Sequence, residues 1–156
     1  MLVSSAHHIT FAERPAPQSD VSRASIIGQW SPVSSWPVVS IHAHLLPDGK
    51  VLTWQRLDSQ LTTQTYLWNP ADNTFEQVFN PFTHLFCSGH SFLPDGKLLV
   101  TGGHHFIDGA GEPHTNIFDY QTKTWTRVAD MNAGRWYPTN TTLANGEALV
   151  VSGTDL

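Results

Sequence analysis

The middle of the chain reads His90-Ser91-Phe92-Leu93-Pro94-Asp95-Gly96-Lys97-Leu98-Leu99-Val100, in which two short apolar runs flank an Asp-Gly turn. This pattern is a strong β-hairpin signal, because glycine adopts a positive φ at little cost. Similar stretches occur at residues 42–54 and 141–150. Their turn glycines are 47 and 50 residues apart, which predicts a repeated structural unit; these are Gly49, Gly96 and Gly146.

A second hairpin follows the first in each complete unit. Residues 66–68 lead through a turn to residues 74–78, and residues 117–120 lead through a turn to residues 124–128. Each unit is therefore predicted to contain four short strands, and no apolar stripe at helical spacing persists for three turns. Apolar positions recur at an offset of fifty residues: Trp68 and Phe118, Phe75 and Trp125, Val78 and Val128.

Four-stranded units of about 50 residues are typical of kelch-type β-propeller blades, and Gly102-Gly103 fits that pattern. A β-sandwich is the alternative, but it gives no reason for a constant offset. We predict an all-β fold, an incomplete propeller over residues 28–156 that follows an irregular lead-in over residues 1–27. Its blades are predicted at about residues 38–80, 87–130 and, incompletely, 137–156.

A propeller closes with about four to eight blades, whereas this sequence holds about two and a half. We therefore expect the chain to be a piece of a larger propeller, with the remaining blades of the same ring as its partners. The aromatic side chains of the repeat are predicted to form the core between blades; they are Trp54, Trp68, Phe75, Phe118 and Trp125.

Composition excludes several classes of function. The 156 residues carry a net charge of −5 without a Lys/Arg cluster, so we expect no nucleic-acid partner. No apolar run approaches the roughly 18 residues of a membrane span, so we expect no membrane partner either. Residues 1–17 lack the basic head and apolar stretch of a signal peptide. The single cysteine excludes an internal disulfide but does not fix the compartment.

Cys87 and Tyr137 are fifty residues apart, and each precedes the first strand of its unit. Because equivalent positions of adjacent blades lie on the same face near the propeller axis, we expect a thiol beside a phenol where ligands commonly bind. Taken alone, a cysteine such as Cys87 is more often a small buried apolar residue than part of a cofactor. Tyr137 is also explained by ordinary packing between blades.

Three motifs resemble those of the copper-radical oxidases, the galactose oxidase and glyoxal oxidase family: Phe86-Cys87-Ser88-Gly89, Gly102-Gly103 and Gly134-Arg135-Trp136-Tyr137-Pro138. The similarity begins near Gly28 and continues to the end of the chain. The Arg-Trp-Tyr-Pro run is closer to the glyoxal oxidase branch. The resemblance implies a seven-bladed ring and a secreted or periplasmic protein.

The resemblance also implies a chemistry. Cys87 and Tyr137 would be joined by a thioether, Tyr137 would bind copper and hold a radical, and Phe86 would lie beside the substrate. Phenolate oxygen and imidazole nitrogen suit Cu(II). Such an enzyme oxidises a small aldehyde, a primary alcohol or a sugar, and it returns the electrons to O₂ to give H₂O₂.

The sequence departs from the family pattern in two respects. The second tyrosine and the two histidines that complete the copper site have no match, so we expect these 156 residues alone to be inactive. Asp155 matches the position of an aromatic ring that stacks on the thioether, which predicts a changed electrostatic environment for the radical. The alternative function is a non-catalytic kelch module that binds a protein or a glycan.

The remaining histidines are predicted to have structural roles. His42 and His44 alternate on a strand and could clamp a metal, but we expect them to be partly buried strand residues. His104 and His105 follow the double glycine, with His114 further along, and we expect a solvated loop there.

Overall fold

The computed structural model describes residues 20–56, 63–106 and 109–155. The chain divides into two compact units, one ending at Ser35 and one beginning at Trp36. The first unit contains a short helix, α1 (Asp20–Ile27). This helix lies inside the segment predicted to be irregular, and the sequence analysis missed it because two turns carry too little periodicity. No helix among the described residues is long and apolar enough to cross a membrane.

The second unit contains ten strands in three antiparallel sheets, which confirms the all-β prediction. The first sheet has the order β1-β2-β3-β4, the second has the order β5-β6-β7-β8, and β9 pairs with β10 in a hairpin. The strands are β1 His42–Leu45, β2 Val51–Trp54, β3 Thr65–Asn69, β4 Thr74–Gln77, β5 Gly89–Phe92, β6 Leu98–Thr101, β7 Thr115–Asp119, β8 Thr124–Arg127, β9 Thr139–Thr142 and β10 Ala148–Val151. The number of blades in a closed ring stays a prediction.

The repeat extends to the backbone conformation. The turn glycines Gly49, Gly96 and Gly146 have φ values of 83°, 82° and 88°. Non-glycine residues with positive φ also occur at equivalent positions, which is uncommon for side chains with a Cβ. Three pairs of residues fifty positions apart both have a positive φ, and each pair includes at least one non-glycine residue: Asn73 and Lys123, Cys87 and Tyr137, and Gly102 and Ser152.

The two ends of the sheets differ in character. Because each sheet is a meander, the tight hairpin turns lie at one end of the strands, and the longer connections lie at the other. That second end, which we call the connection end, carries residues 78–88, 102–106, 109–114 and 128–138. Both predicted redox residues, Cys87 and Tyr137, are therefore at the connection end.

An apolar core lies between the first two sheets. Trp54 and Phe118 are fully buried, and the indole N–H of Trp54 donates to the Leu85 carbonyl at 3.0 Å. Trp125 is 7% exposed and packs against Phe118 with ring centroids 5.0 Å apart. These positions confirm the predicted core. Burial of their rings from water is the main stabilising term available to such short strands.

The two outer predicted core aromatics lie at the edge of this core. Trp68 and Phe75 are partly buried, and both contact Trp36 with ring centroids 4.8 and 5.0 Å apart.

A group of three imidazoles joins the first sheet to the second. Nδ1 of His42 lies 3.2 Å from Nε2 of His90, and the ring of His44 is 4.1 Å from that of His90. Trp54 stacks on both His42 and His44. Burial, followed by the neighbouring His90, lowers the pKa of His42 to about 4 and that of His44 to about 3. The prediction of partly buried strand histidines is confirmed.

Close backbone packing at the connection end requires glycine. A Cβ at Gly111 would overlap the backbone atoms of Arg135 and Trp136. A Cβ at Gly89 would lie 2.5 Å from Oδ1 of Asn140, where β5 packs against β9. These two glycines thus hold the segment that carries Tyr137 against the second sheet.

We expect the free energy of unfolding to fall as the pH is lowered from about 7 towards 4. The unfolded chain takes up protons on His42 and His44 below their ordinary pKa of 6.5, whereas the folded chain accepts them only near the lowered values. His44→Phe should weaken this dependence, since it removes one titrating group from the cluster. Urea unfolding at several pH values measures it, with His105→Phe as a control outside the cluster. If the free energy of unfolding of His44→Phe depended on pH as steeply as that of the unchanged protein, the dependence would not come from this histidine cluster.

Gly111→Ala should lower the free energy of unfolding by about 1–3 kcal/mol, because the new methyl group forces the backbone at Arg135 and Trp136 to move. Gly49→Ala is the control, since no atom lies within 4 Å of a Cβ there and only the cost of its positive φ of 83° remains. Chemical unfolding of both variants compares the two effects. A smaller loss in Gly111→Ala than in Gly49→Ala would show that this packing contributes little.

Candidate functional site

Cys87 and Tyr137 lie next to each other at the connection end. The backbone N–H of Tyr137 donates to the Cys87 carbonyl at 2.8 Å. A side-chain hydrogen bond with Cys87, and to a smaller extent electrostatics and burial, raise the pKa of the Tyr137 phenol. Cys87 is fully buried, whereas Tyr137 is 57% exposed. The site thus combines a sealed thiol with a phenol that is open to a ligand.

Both residues adopt an unfavourable backbone conformation. Their φ values are both 60°, in the left-handed region that bulky side chains rarely occupy. Tyr137 also precedes Pro138, and the residue before a proline normally favours an extended backbone. Each such residue costs on the order of 1–3 kcal/mol and persists only where the surrounding structure fixes it, most often at functional sites.

Phe86 lies in a group of rings beside Cys87. Its ring is half-buried and lies 6.4 Å from His42, 6.1 Å from His84 and 5.8 Å from His104. The guanidinium carbon of Arg56 is 5.6 Å from the Phe86 ring, a cation–π distance. The sequence analysis assigned Phe86 to the substrate side of the site but did not anticipate the imidazoles and the guanidinium around it.

The expectation of a solvated loop after the double glycine is wrong for His104. This residue is 5% exposed, and its backbone N–H donates to the His84 carbonyl at 3.0 Å. A Cβ at Gly103 would overlap that same carbonyl, so the glycine permits the close approach. The double glycine was the available signal that this loop folds back onto the protein. His105 and His114 are partly buried.

Trp136 provides the aromatic contact of Tyr137, which the sequence analysis did not identify. The two ring centroids are 4.7 Å apart with an interplanar angle of 61°. Two backbone hydrogen bonds with Thr154, at 2.8 and 3.0 Å, hold Trp136 in place. Asp155, the predicted neighbour of the radical, directly follows Thr154 and is exposed. One carboxylate oxygen of Asp155 would lie 2.9 Å from a Cβ at Gly134.

Tyr137 is the predicted metal ligand at this site. Within residues 20–56, 63–106 and 109–155, no group of three or more His, Cys, Asp or Glu side chains is arranged to hold a metal ion. The described residues place a thiol and a phenol side by side at this site.

Comparisons with known proteins bear on this site. No protein-family model matches the chain. A galactose oxidase from Gibberella zeae is 26% identical over 137 residues, which cover 81% of this chain and 19% of that protein. The aldehyde oxidase GLOX of Vitis pseudoreticulata is 35% identical over 79 residues, which cover 46% of this chain and 14% of that protein. The chain thus spans less than a fifth of the length of these relatives.

A solved structure of a copper-containing oxidase has a similar fold. It is a fungal alcohol oxidase of the AA5 family in complex with copper, and it matches with a TM-score of 0.68 and 28% identity over 80% of this chain and 27% of that one. By sequence and by fold, the chain is similar to members of the galactose oxidase and glyoxal oxidase family.

Proposed function

We propose that Cys87 and Tyr137 form the thioether cofactor of a copper-radical oxidase, which oxidises an aldehyde or a primary alcohol with O₂ and releases H₂O₂. The observation that carries this proposal is the contact between the two side chains, hydrogen-bonded to each other at equivalent positions of adjacent units. The family relationship supports the same chemistry and does not favour a purely non-catalytic binding module.

The phenol of Tyr137 suits a copper ligand in two respects. Its side chain is open to solvent, and its oxygen is a donor type that Cu(II) accepts. Its raised pKa means that ligation requires the loss of a proton that the free protein retains. Bound copper supplies a second one-electron centre beside the ring. Tyr137 is the ligand that we assign to the described residues.

The cross-link is an oxidation of the protein itself. A carbon–sulfur bond forms between Sγ of Cys87 and a ring carbon of Tyr137, while one S–H and one C–H bond break. The two protons and two electrons released pass to O₂, which becomes H₂O₂. The sulfur of Cys87 is fully buried, so a competing thiol has little access to it.

Neighbouring residues have supporting roles in this proposal. Phe86 borders the substrate, since its partly buried ring is adjacent to the buried thiol. Trp136 contacts the Tyr137 ring and fixes its orientation. Asp155 replaces an aromatic ring by a carboxylate near the cofactor, and its negative charge makes oxidation of the ring easier.

Exposure of the full-length protein to copper and O₂ should lower its intact mass by two hydrogen atoms and remove the titratable thiol of Cys87. Peptide mapping should place the new bond between the peptides that contain Cys87 and Tyr137. Cys87→Ser and Tyr137→Phe should both abolish the mass change and the oxidase activity, since each removes one partner. Tyr120→Phe is a matched control, because it removes a phenol outside the site.

A copper-loaded and active protein that keeps a free Cys87 thiol would refute the thioether. A cross-linked protein without oxidase activity towards aldehydes or alcohols would refute the assigned reaction instead.

Asp155→Asn should raise the reduction potential of the cross-linked tyrosine on the order of tens of millivolts, because a nearby negative charge is removed. Asp155→Glu keeps the charge and should leave the potential near that of the unchanged protein. Redox titration of the radical's absorbance measures both variants. Equal potentials in the Asn and Glu variants would show that residue 155 does not act through its charge.

A further inference from the structure

Three imidazoles, which we call the imidazole cluster, connect the strands β1 and β5; they are His42, His44 and His90. Nδ1 of His42 is 3.2 Å from Nε2 of His90. The ring centroids of His44 and His90 are 4.1 Å apart, with an interplanar angle of 70°. The cluster is therefore a direct side-chain contact between the first sheet and the second.

The cluster is arranged for neutral rings. The Nε2 atoms of His42 and His44 are buried and have no hydrogen-bond partner among the described residues. A proton added to either ring places a positive charge beside the other imidazoles, where little water can solvate it. Within the described part of the chain, the ion pair of a histidine with a carboxylate is that of His114 with Glu112, and it lies outside the cluster.

The other side chains that face the cluster do not compensate for such a charge. Trp54 of β2 stacks on His42 and His44, with ring centroids 5.0 and 5.1 Å away, and stacking on an indole favours a cation. Phe86 lies 6.4 Å from His42, and the Arg56 guanidinium over the Phe86 ring is itself positive. Burial and the neighbouring His90 nevertheless lower the pKa of both rings, so these effects outweigh the stacking.

The strand β1 can leave this contact without disrupting the core. It is at the edge of the first sheet, and its ladder with β2 consists of four residue pairs. Its other two side chains, Ala43 and Leu45, are exposed. The large core rings belong to other strands, namely Trp54 to β2, Phe118 to β7 and Trp125 to β8. Segments with few buried apolar contacts open locally at a lower free energy than the whole domain.

Trp54 connects the cluster to the turn that carries Cys87. Its indole N–H donates to the Leu85 carbonyl at 3.0 Å. The same carbonyl accepts from the backbone N–H of Ser88 at 3.3 Å and from the Ser88 hydroxyl at 2.7 Å, which closes the turn over residues 85–88. Because the face of Trp54 lies on the imidazoles of β1, loss of those rings removes support from the indole that holds this turn.

We infer that acid releases β1 from the second sheet at the imidazole cluster and loosens the turn that carries Cys87, while the sheet β5–β8 stays folded. In the released strand, His42 and His44 reach water and take up protons at their ordinary pKa of 6.5. In the closed structure they take up protons only at their lowered pKa values of about 4 and about 3. The closed form is therefore favoured above pH 6.5 and loses stability as the pH falls towards 4.

The release of β1 makes the surroundings of Cys87 depend on pH, and it is distinct from unfolding of the whole chain. The ladder of the second sheet and the contact between Phe118 and Trp125 both remain in the opened form. The inference does not depend on copper or on the thioether, so its failure would leave the proposed function standing.

Hydrogen–deuterium exchange of the copper-free, full-length protein at pH 7 and pH 5 tests the inference, with each rate expressed as a protection factor. Protection of residues 41–46 should fall from pH 7 to pH 5 by about 20-fold for each histidine of β1 that regains its ordinary pKa. Protection of residues 85–88 should fall with it, since Trp54 holds the Leu85 carbonyl.

The strand β7 distinguishes local release from unfolding of the whole chain. Protection of β7 should be higher than that of residues 41–46 at both pH values. A low concentration of urea should speed exchange in β7, which opens by global unfolding, and should have little effect on residues 41–46, because a local opening exposes little surface.

His44→Phe and His44→Gln each remove one titrating ring, so each should make the fall in protection of residues 41–46 smaller by about 20-fold. The first variant keeps a ring against Trp54 and the second keeps a polar group, so misfolding of one leaves the other to be measured. His105→Phe is the matched control, because it removes an imidazole outside the cluster, and it should show the same fall as the unchanged protein.

Several outcomes would overturn the inference, and the unchanged protein supplies three of them. One is protection of residues 41–46 that does not depend on pH, and another is protection and urea dependence equal to those of β7. A third is a turn at residues 85–88 that stays protected while residues 41–46 exchange. An undiminished fall in both His44 variants would show that the cluster is not the group that responds to acid.

Discussion

The hydrogen bond from the Tyr137 N–H to the Cys87 carbonyl is the contact on which the site depends. It joins the first residues of two successive repeats, so a separation of fifty residues in the chain becomes direct contact in space. The glycines around it have the same effect: a Cβ at Gly89 or Gly111 would push the Tyr137 segment away from the second sheet. The thiol and the phenol thus meet because they occupy equivalent positions of successive repeats, and no additional loop or helix is needed to bring them together.

The positive φ of both residues follows from the same constraint. Each must turn the chain sharply into the first strand of its sheet, and each does so with φ near 60°. Glycine would meet this requirement at less cost, but it offers neither sulfur nor a phenol. The free energy lost at the two positions is offset by the packing around them, where Trp54 bonds to Leu85 and Trp136 bonds to Thr154.

Sequence alone predicted those features that depend on local chemistry and on the repeat. Asp-Gly and Asn-Gly turns predicted the hairpins, and the offset of fifty residues predicted Phe118 and Trp125, which are both in the core. The same offset predicted that Cys87 and Tyr137 meet. Features that depend on tertiary approach were missed. Burial of His104 requires Gly103 to pack on the His84 carbonyl, and no local pattern specifies that partner.

The two ends of the sheets carry different sets of side chains. Among the described residues, the tight turns at the other end carry many of the ionised side chains, such as the Asp48–Lys50 and Asp95–Lys97 pairs. The connection end also has ionised side chains, such as the Arg127–Asp130 pair, but it carries in addition a group of aromatic rings and imidazoles around Phe86. Burial lowers the pKa of His84, so its ring adds a dipole but no charge at neutral pH.

The burial of Cys87 and the exposure of Tyr137 give the two partners of the pair different surroundings. The thiol of Cys87 contacts protein atoms alone, so its hydrogen bond with the Tyr137 side chain does not compete with a hydrogen bond to water. The phenol of Tyr137 is instead more than half exposed. The contact between the two residues therefore fixes the sulfur beside the ring and leaves the ring open to solvent.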